Sequence, residues 1–154
     1  MDPFKLLKQD HDKVKGLFRE YEEAGDRAYR RKERIANTVF EELSIHEQIE
    51  EEIFYPAVRD GASKEGVEIV LEGYQEHHVV DVLIKELKAT DVEDETYDAK
   101  FKVLTENVEH HIEEEEGEMF REARRALGDT EDEVGQRMME LKEKLTSATG
   151  SPSS

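Results

Sequence analysis

The feature that most constrains this chain is a histidine followed four residues later by a glutamate, which occurs twice on the apolar face of an expected helix. The first pair is His46 and Glu50, and the second is His111 and Glu115. Residues four apart lie one above the other on an α-helix, so each pair can direct an imidazole and a carboxylate at one point. Either these residues converge on a metal ion, or they are isolated polar side chains.

A lone histidine precedes each pair by a nearly constant interval, so the chain consists of two similar halves. His11 stands 35 residues before His46, and His77 stands 34 residues before His111. The apolar residues around them recur three and four apart, which predicts amphipathic α-helices. Each half is therefore predicted to be a helical hairpin, with the lone histidine on its first arm and the histidine–glutamate pair on its second.

Start and stop signals predict four long helices and a shorter fifth. The first helix begins at Asp2 and Pro3, and the second runs over about residues 29–55 and ends at Pro56, which cannot continue it. The bundle domain is predicted over 1–127, with a C-terminal helix over 128–146 and a disordered tail over 147–154. Long helices with short connections predict an all-α, up-down-up-down four-helix bundle with a short additional C-terminal helix.

The four histidines are predicted to lie in one layer of this bundle. Each stands about 14 to 17 residues from the turn of its hairpin, which at roughly 1.5 Å per residue places all four at similar heights. Glu50 and Glu115 then lie one helical turn further from those turns. If such polar groups were buried without a partner, each would lower the stability of the fold by roughly 1–3 kcal/mol. They must therefore be hydrogen bonded or bind metal.

A wet, hydrogen-bonded polar layer is one interpretation, and a metal site is the interpretation that we favour. The chain contains no cysteine, so any metal must be held by histidine nitrogen and carboxylate oxygen, which suit non-haem iron, manganese or zinc. Four histidines and two carboxylates exceed the needs of one tetrahedral zinc ion. Bundle di-metal sites draw ligands from all four helices, so two ions are predicted.

The joint pattern resembles the hemerythrin-like, or HHE cation-binding, family over roughly residues 1–127. The motifs are Asp10-His11, HEQIEEEIFYP at 46–56, EHH at 76–78 with VLIKEL after it, and HHIEEEEGEMF at 110–120. The resemblance implies a four-helix bundle with two iron ions, joined by an oxygen atom or by carboxylates, and makes manganese or zinc less favoured. The iron ligands that it implies are His11, His46, Glu50, His77, His111 and Glu115, with the two glutamates as bridges.

The third helix departs from the pattern of the oxygen-carrying hemerythrins. Those carriers use two histidines on this helix, four residues apart, whereas here Gly73 precedes His77 at that spacing and Asp81 follows it. Either one ligand is missing or Asp81 supplies it. Fewer imidazoles and more carboxylates should stabilise ferric iron, which argues against efficient oxygen transport.

The fourth helix also departs from the carriers, which place the carboxylate five residues after its histidine. That spacing would pair His110 with Glu115 or His111 with Glu116. The apolar periodicity favours His111 with Glu115, because His110 faces a flank of the helix. Tyr55 is expected to be an ordinary residue at the rim of the bundle, with iron binding or tuning by its phenol as the alternative.

Three functions are compatible with these residues. The first is a binding module that binds or senses dioxygen, nitric oxide or peroxide; the second is a catalase-like or peroxidase enzyme; the third is iron storage or iron sensing. A net charge of −18 repels phosphate and anionic lipid, so neither nucleic acid nor membrane is an expected partner. No apolar run approaches the length of a membrane span and no signal-peptide core is visible, so the expected location is cytoplasmic.

Overall fold

The computed structural model describes residues 1–149, and this part of the chain is helical without a β-strand. The predicted all-α class and the four-helix bundle are confirmed. Within the described residues the α-helices are α1 (Pro3–Glu23), α2 (Tyr29–Ile49), α3 (Tyr55–Gly61), α4 (Lys64–Lys88), α5 (Tyr97–Glu114), α6 (Phe120–Leu127) and α7 (Glu131–Thr149).

Two of the four bundle arms consist of two α-helices joined by one π-helical turn. The turn π1 (Glu50–Phe54) joins α2 to α3, and π2 (Glu115–Met119) joins α5 to α6. The arms of the bundle are therefore α1, α2–π1–α3, α4 and α5–π2–α6. Both π turns begin at the glutamate of a histidine–glutamate pair, which places the same irregularity at the same point of each hairpin.

The predicted end of the second helix at Pro56 is wrong, because the π turn accommodates the missing N–H of the proline. The N–H of Tyr55 donates to the carbonyl of Glu50, five residues back. In this register Pro56 would face the carbonyl of Glu51, which instead accepts a hydrogen bond of 3.4 Å from the Tyr74 hydroxyl. A π turn inserts one residue into an α-helix, and the arm continues beyond it as α3.

The helix starts follow the expected capping chemistry. Asp2 caps α1, since its carboxylate accepts from the backbone N–H of Phe4 at 2.9 Å, and Pro3 occupies the first helical position. Ser63 caps α4 by accepting from the N–H of Gly66 at 3.2 Å. These caps fix where two of the bundle arms begin.

The core of the bundle consists of two apolar clusters on either side of the histidine layer. The cluster toward the hairpin turns contains Phe18, Leu43, Ile84 and Phe101, among others. The cluster at the opposite end contains the buried aromatic and aliphatic residues Phe4, Leu7, Phe54, Val70, Phe120 and Met138, among others. The polar layer therefore lies at the middle of the bundle, sealed by hydrophobic packing above and below.

The C-terminal helix α7 packs against α1, α2 and π1. Its Val134 and Met138 are 4% and 0% exposed and belong to the apolar cluster at that end of the bundle. The helix begins at Glu131 and extends to Thr149, so both its ends lie three residues beyond the predicted range of 128–146. The rest of the predicted tail, 150–154, lies outside the described residues. No described helix combines the length and apolar character needed to cross a bilayer.

Replacing Gly61 by Ala is expected to destabilise the protein by about 1–3 kcal/mol, because the new methyl group would collide with the backbone carbonyl of Ala126 where α3 meets α6. The measurement is the free energy of unfolding from denaturant titration. Gly16→Ala is the matched control. Its new methyl group has only an ordinary contact with Arg19, so it should stabilise α1 by about 0.5–1 kcal/mol. Equal effects of the two substitutions would contradict the close approach of the two arms.

Candidate metal centre

One histidine from each arm of the bundle enters the polar layer. The ring centroids of His11 and His46 lie 4.9 Å apart, and those of His77 and His111 lie 5.0 Å apart. All four side chains are buried. The structure therefore places the four histidines in one layer, as the distances from the hairpin turns predicted.

Glu50 lies between the two halves of the bundle. Its Oε1 is 3.3 Å from Nε2 of His46, which belongs to its own arm, and 2.9 Å from Nε2 of His77, which belongs to the other hairpin. The side chain is fully buried, and its Oε2 has no hydrogen-bond partner among the described residues. This carboxylate is positioned to share metal ions with both histidines.

Glu115 has the equivalent position on the other hairpin. Its Oε1 lies 3.1 Å from Nε2 of His11, and its Oε2 lies 3.2 Å from Nε2 of His111. The side chain is 1% exposed. Each of the two glutamates thus contacts a histidine from each half of the bundle.

An outer set of carboxylates holds the four histidines from behind, and sequence reasoning missed these residues. The contacts from histidine Nδ1 to a carboxylate oxygen are His11 to Glu116 at 2.6 Å, His46 to Asp10 at 2.9 Å, His77 to Glu51 at 2.8 Å and His111 to Glu76 at 2.7 Å. Donation from Nδ1–H to a carboxylate fixes the ring orientation and makes Nε2 a better metal ligand.

The outer carboxylates carry a signal in the sequence, because each is the direct neighbour of an inner residue. The neighbouring pairs are Asp10 and His11, Glu50 and Glu51, Glu76 and His77, and Glu115 and Glu116. Consecutive residues on a helix face directions about 100° apart, so each outer carboxylate faces sideways and supports the histidine of an adjacent arm. The identity of that histidine depends on packing and could not be obtained from spacing alone.

The inner residues form two groups that share Glu50. The first contains His11, His46, Glu50 and Glu115, the second contains Glu50, His77 and His111, and in each group one ligand atom per residue lies within 4.8 Å of the others. Among the described residues, Nε2 of His46, Nε2 of His111 and Oε2 of Glu50 are buried without a hydrogen-bond partner. Such atoms cost about 1–3 kcal/mol each, and a cation held between them would remove that cost. The donor set therefore fits metal.

The carboxylates also dominate the electrostatics of the histidines. Burial lowers the pKa of His111, but the charge of Glu115 and the hydrogen bond with Glu76 raise it to about 11. Burial likewise lowers the pKa of His46, and the charge of Glu50 is the main cause that raises it well above its ordinary value. The raised pKa values favour the protonated forms of His46 and His111 when no cation is bound, and metal binding must displace those protons.

Tyr55 lies inside the site and not at the rim, so the expectation of a rim residue is wrong. Its side chain is fully buried. The hydroxyl donates to Oε2 of Glu115 at 2.9 Å and lies 3.3 Å from Nε2 of His77. The π turn is the physical reason, because it makes the residue five positions after Glu50 follow it on the same face.

Gly73 provides the space that the phenol of Tyr55 occupies. A Cβ at Gly73 would lie 2.9 Å from the hydroxyl oxygen of Tyr55 and 3.1 Å from Cε of Met119. Gly73 is also one of the two positions four residues from His77, the spacing that the oxygen-carrying hemerythrins lead one to expect for a second histidine. The phenol of Tyr55 occupies the space beside this position.

Asp81 does not reach the cluster. It lies on the exposed face of α4, and its carboxylate interacts with that of Glu47. Burial and the nearby Asp81 carboxylate raise the pKa of Glu47 to about 10. The structure therefore offers no support for Asp81 as the missing ligand of the third helix.

The fourth bundle arm uses the four-residue spacing. His111 and Glu115 are both buried in the cluster, whereas the side chain of His110 is 67% exposed and lies 3.0 Å from Glu114. Glu116 is the Nδ1 partner of His11. The structure thus brings His111 and Glu115 into the cluster and leaves His110 outside it.

A four-helix bundle with a buried histidine–carboxylate cluster drawn from all four arms defines the class of the protein as a bundle with a candidate metal-binding centre. The chain belongs to the hemerythrin family, since the family model described as "Hemerythrin HHE cation binding domain" matches residues 2–123. That match includes all six inner residues and ends within α6.

A curated relative and a solved structure extend this comparison. The chain is 27% identical over 128 residues to a protein described as a DNA nickase from Nostoc sp. (strain PCC 7120 / SAG 25.82 / UTEX 2576). That match covers 83% of this chain but 35% of the relative, so the chain spans about a third of that protein's length. This chain is also similar to the crystal structure of a hemerythrin HHE cation-binding domain-containing protein from Mycobacterium kansasii, with a TM-score of 0.84 and 24% sequence identity. The match covers 96% of this chain and 89% of the other, so the two proteins share a fold.

Replacing Glu116 by Ala is expected to weaken metal binding by about 10–100-fold, because it removes the Nδ1 partner of His11. Glu113→Ala is the control, since Glu113 lies in the same run of glutamates but is exposed. Metal affinity is measured by competition with a chromophoric chelator. A loss of affinity in the control as large as that in the Glu116 variant would refute the role assigned to the outer carboxylates.

Proposed function

We propose that this chain is a non-haem di-iron protein that binds or senses dioxygen, nitric oxide or peroxide. The observation that carries the proposal is the pair of overlapping ligand groups that share Glu50, inside which three buried polar atoms have no hydrogen-bond partner among the described residues. Nitrogen and carboxylate ligands without sulfur suit non-haem iron. Iron bound there would supply redox chemistry toward a small oxidant.

In this proposal the inner residues have distinct roles. His11 and His46 would hold one iron ion, and His77 and His111 would hold the other. Glu50 and Glu115, each in contact with histidines of both halves, would supply carboxylate oxygens to the centre. The outer carboxylates keep every Nε2 directed inward.

A small apolar cavity beside the histidines supports a gaseous or peroxide ligand. It has a volume of about 20 Å³ and lies among the four histidines and side chains that include Val14, Leu43, Val80, Val108 and Ile112. A cavity of this size holds about one water-sized molecule. Its apolar walls, contributed by all four arms, favour a small uncharged ligand and leave no space for a larger organic substrate.

The position of Tyr55 favours a second candidate function, the turnover of peroxide in a catalase-like or peroxidase reaction. Cleavage of an O–O bond needs a proton donor at the site. Burial and the charge of Glu115 raise the pKa of Tyr55, so its hydroxyl keeps its proton, and that hydroxyl donates to Glu115 inside the cluster. The phenol also occupies the space beside Gly73, one of the two positions four residues from His77.

Two further functions have less support. Iron storage needs capacity for many ions, whereas the cluster is a compact set of fixed ligands. The nicking of DNA is described for the longer Nostoc protein. The net charge of −18 on this chain opposes the approach of a phosphodiester backbone.

Metal analysis of the protein purified from iron-replete cells is expected to give about two iron ions per chain, the content of a bundle di-iron site. Glu50→Ala should lower this content, because it removes a carboxylate shared by both ligand groups. Glu113→Ala should leave it unchanged, since that side chain is exposed. Iron content near zero in the unaltered protein would reject the proposed centre.

Peroxide addition to the ferric protein distinguishes binding from turnover. A binding or sensing protein should show a saturable change in its absorption spectrum without sustained release of oxygen. Continuous oxygen release, measured with an oxygen electrode, would show that the protein turns over peroxide as an enzyme. In that case Tyr55→Phe should slow the release while iron content stays at the level of the unaltered protein, because the variant removes only the hydroxyl.

A further inference from the structure

Lys142 of the C-terminal helix α7 contacts an outer carboxylate of the candidate metal centre. Nζ of Lys142 donates to Oδ1 of Asp10 at 2.7 Å, and Oδ2 of the same carboxylate accepts from Nδ1 of His46 at 2.9 Å. Lys142 lies 132 residues from Asp10 in the chain and outside the segment that the family model matches. A chain of two hydrogen bonds therefore connects an added helix to an inner histidine.

Asp10 differs from the other outer carboxylates in its surroundings. Its side chain is 7% exposed, whereas those of Glu116, Glu51 and Glu76 are 25%, 38% and 29% exposed. Water can therefore screen the charge of those three. The buried carboxylate of Asp10 instead has the ammonium group of Lys142 against it, as a buried charge requires a partner.

The ammonium group affects His46 in two ways. It fixes the Asp10 carboxylate in one orientation, which in turn fixes the imidazole ring. It also neutralises part of the charge of the Asp10 carboxylate. Asp10 therefore accepts a weaker hydrogen bond from Nδ1–H of His46 than an isolated buried carboxylate would. Partners of this kind tune both the affinity and the electronic properties of a metal site.

We propose that Lys142 is a positioning residue of the metal centre, which orients His46 through Asp10 and limits the negative charge that this histidine receives. The proposal rests on the di-iron function proposed above. It assigns a role to α7 beyond covering the bundle: the helix makes the His11–His46 half of the centre electronically different from the His77–His111 half.

The test uses the iron-loaded full chain with Lys142→Met, Lys142→Arg and the control Lys144→Met, which removes the same charge from an exposed position of the same helix. A redox titration followed by the absorption of the iron centre gives the midpoint potential of each protein. Lys142→Met should raise the ratio of ferric to ferrous iron at a fixed solution potential by about 10-fold, the lower end of the change in affinity or activity that loss of such a partner causes. Lys142→Arg and Lys144→Met should match the unaltered protein.

A double variant separates action through Asp10 from a general charge effect. In an Asp10→Asn background, Lys142→Met should produce no further shift, because the carboxylate that transmits the effect is absent. Lys142→Gln, measured in parallel, replaces the methionine variant if thermal unfolding shows that the latter does not fold. Equal shifts from the Lys142 and Lys144 variants, or no shift in either, would overturn the inference. Absence of iron from the unaltered protein would instead overturn the proposed function.

Discussion

A closed ring of hydrogen bonds between carboxylates and imidazoles is the constraint on which the bundle depends. Asp10 on the first arm supports the histidine of the second, Glu51 on the second supports that of the third, and Glu76 on the third supports that of the fourth. Glu116 on the fourth arm returns to His11 on the first. Since every link joins adjacent arms, rotation or sliding of any arm would break two links, so the ring fixes both the rotation and the height of all four.

The ring also explains how a strongly acidic chain tolerates a polar layer in its core. Buried carboxylates and imidazoles are costly unless they are paired, and here each pairs with a neighbour while apolar clusters close the layer on both sides. Three inner atoms have no hydrogen-bond partner among the described residues, namely His46 Nε2, His111 Nε2 and Glu50 Oε2. The layer is thus complete except where a cation would bind, which ties the stability of the fold to the function proposed for it.

Periodicity was sufficient to predict the four arms and the inward position of His11, His46, Glu50, His77, His111 and Glu115, because those positions obey an unbroken α-helical repeat. It failed where the repeat changes. The π turn after Glu50 carried the arm past Pro56 and turned Tyr55 into the core, neither of which a constant pitch allows. The outer carboxylates and Lys142 were missed for another reason: their partners lie on other arms, and only tertiary packing determines which histidine each one meets.

The hydrogen bond between Glu116 and His11, which closes the ring, can form only after the fourth arm has been synthesised. The first hairpin emerges from the ribosome with His11, His46 and Glu50 already present, yet the carboxylate that orients His11 lies 105 residues further along the chain. Until the fourth arm docks, one imidazole of the first ligand group lacks its support and Glu115 is missing from that group. In a partly made chain this candidate ligand group is therefore incomplete, and it is completed in the same step that closes the bundle.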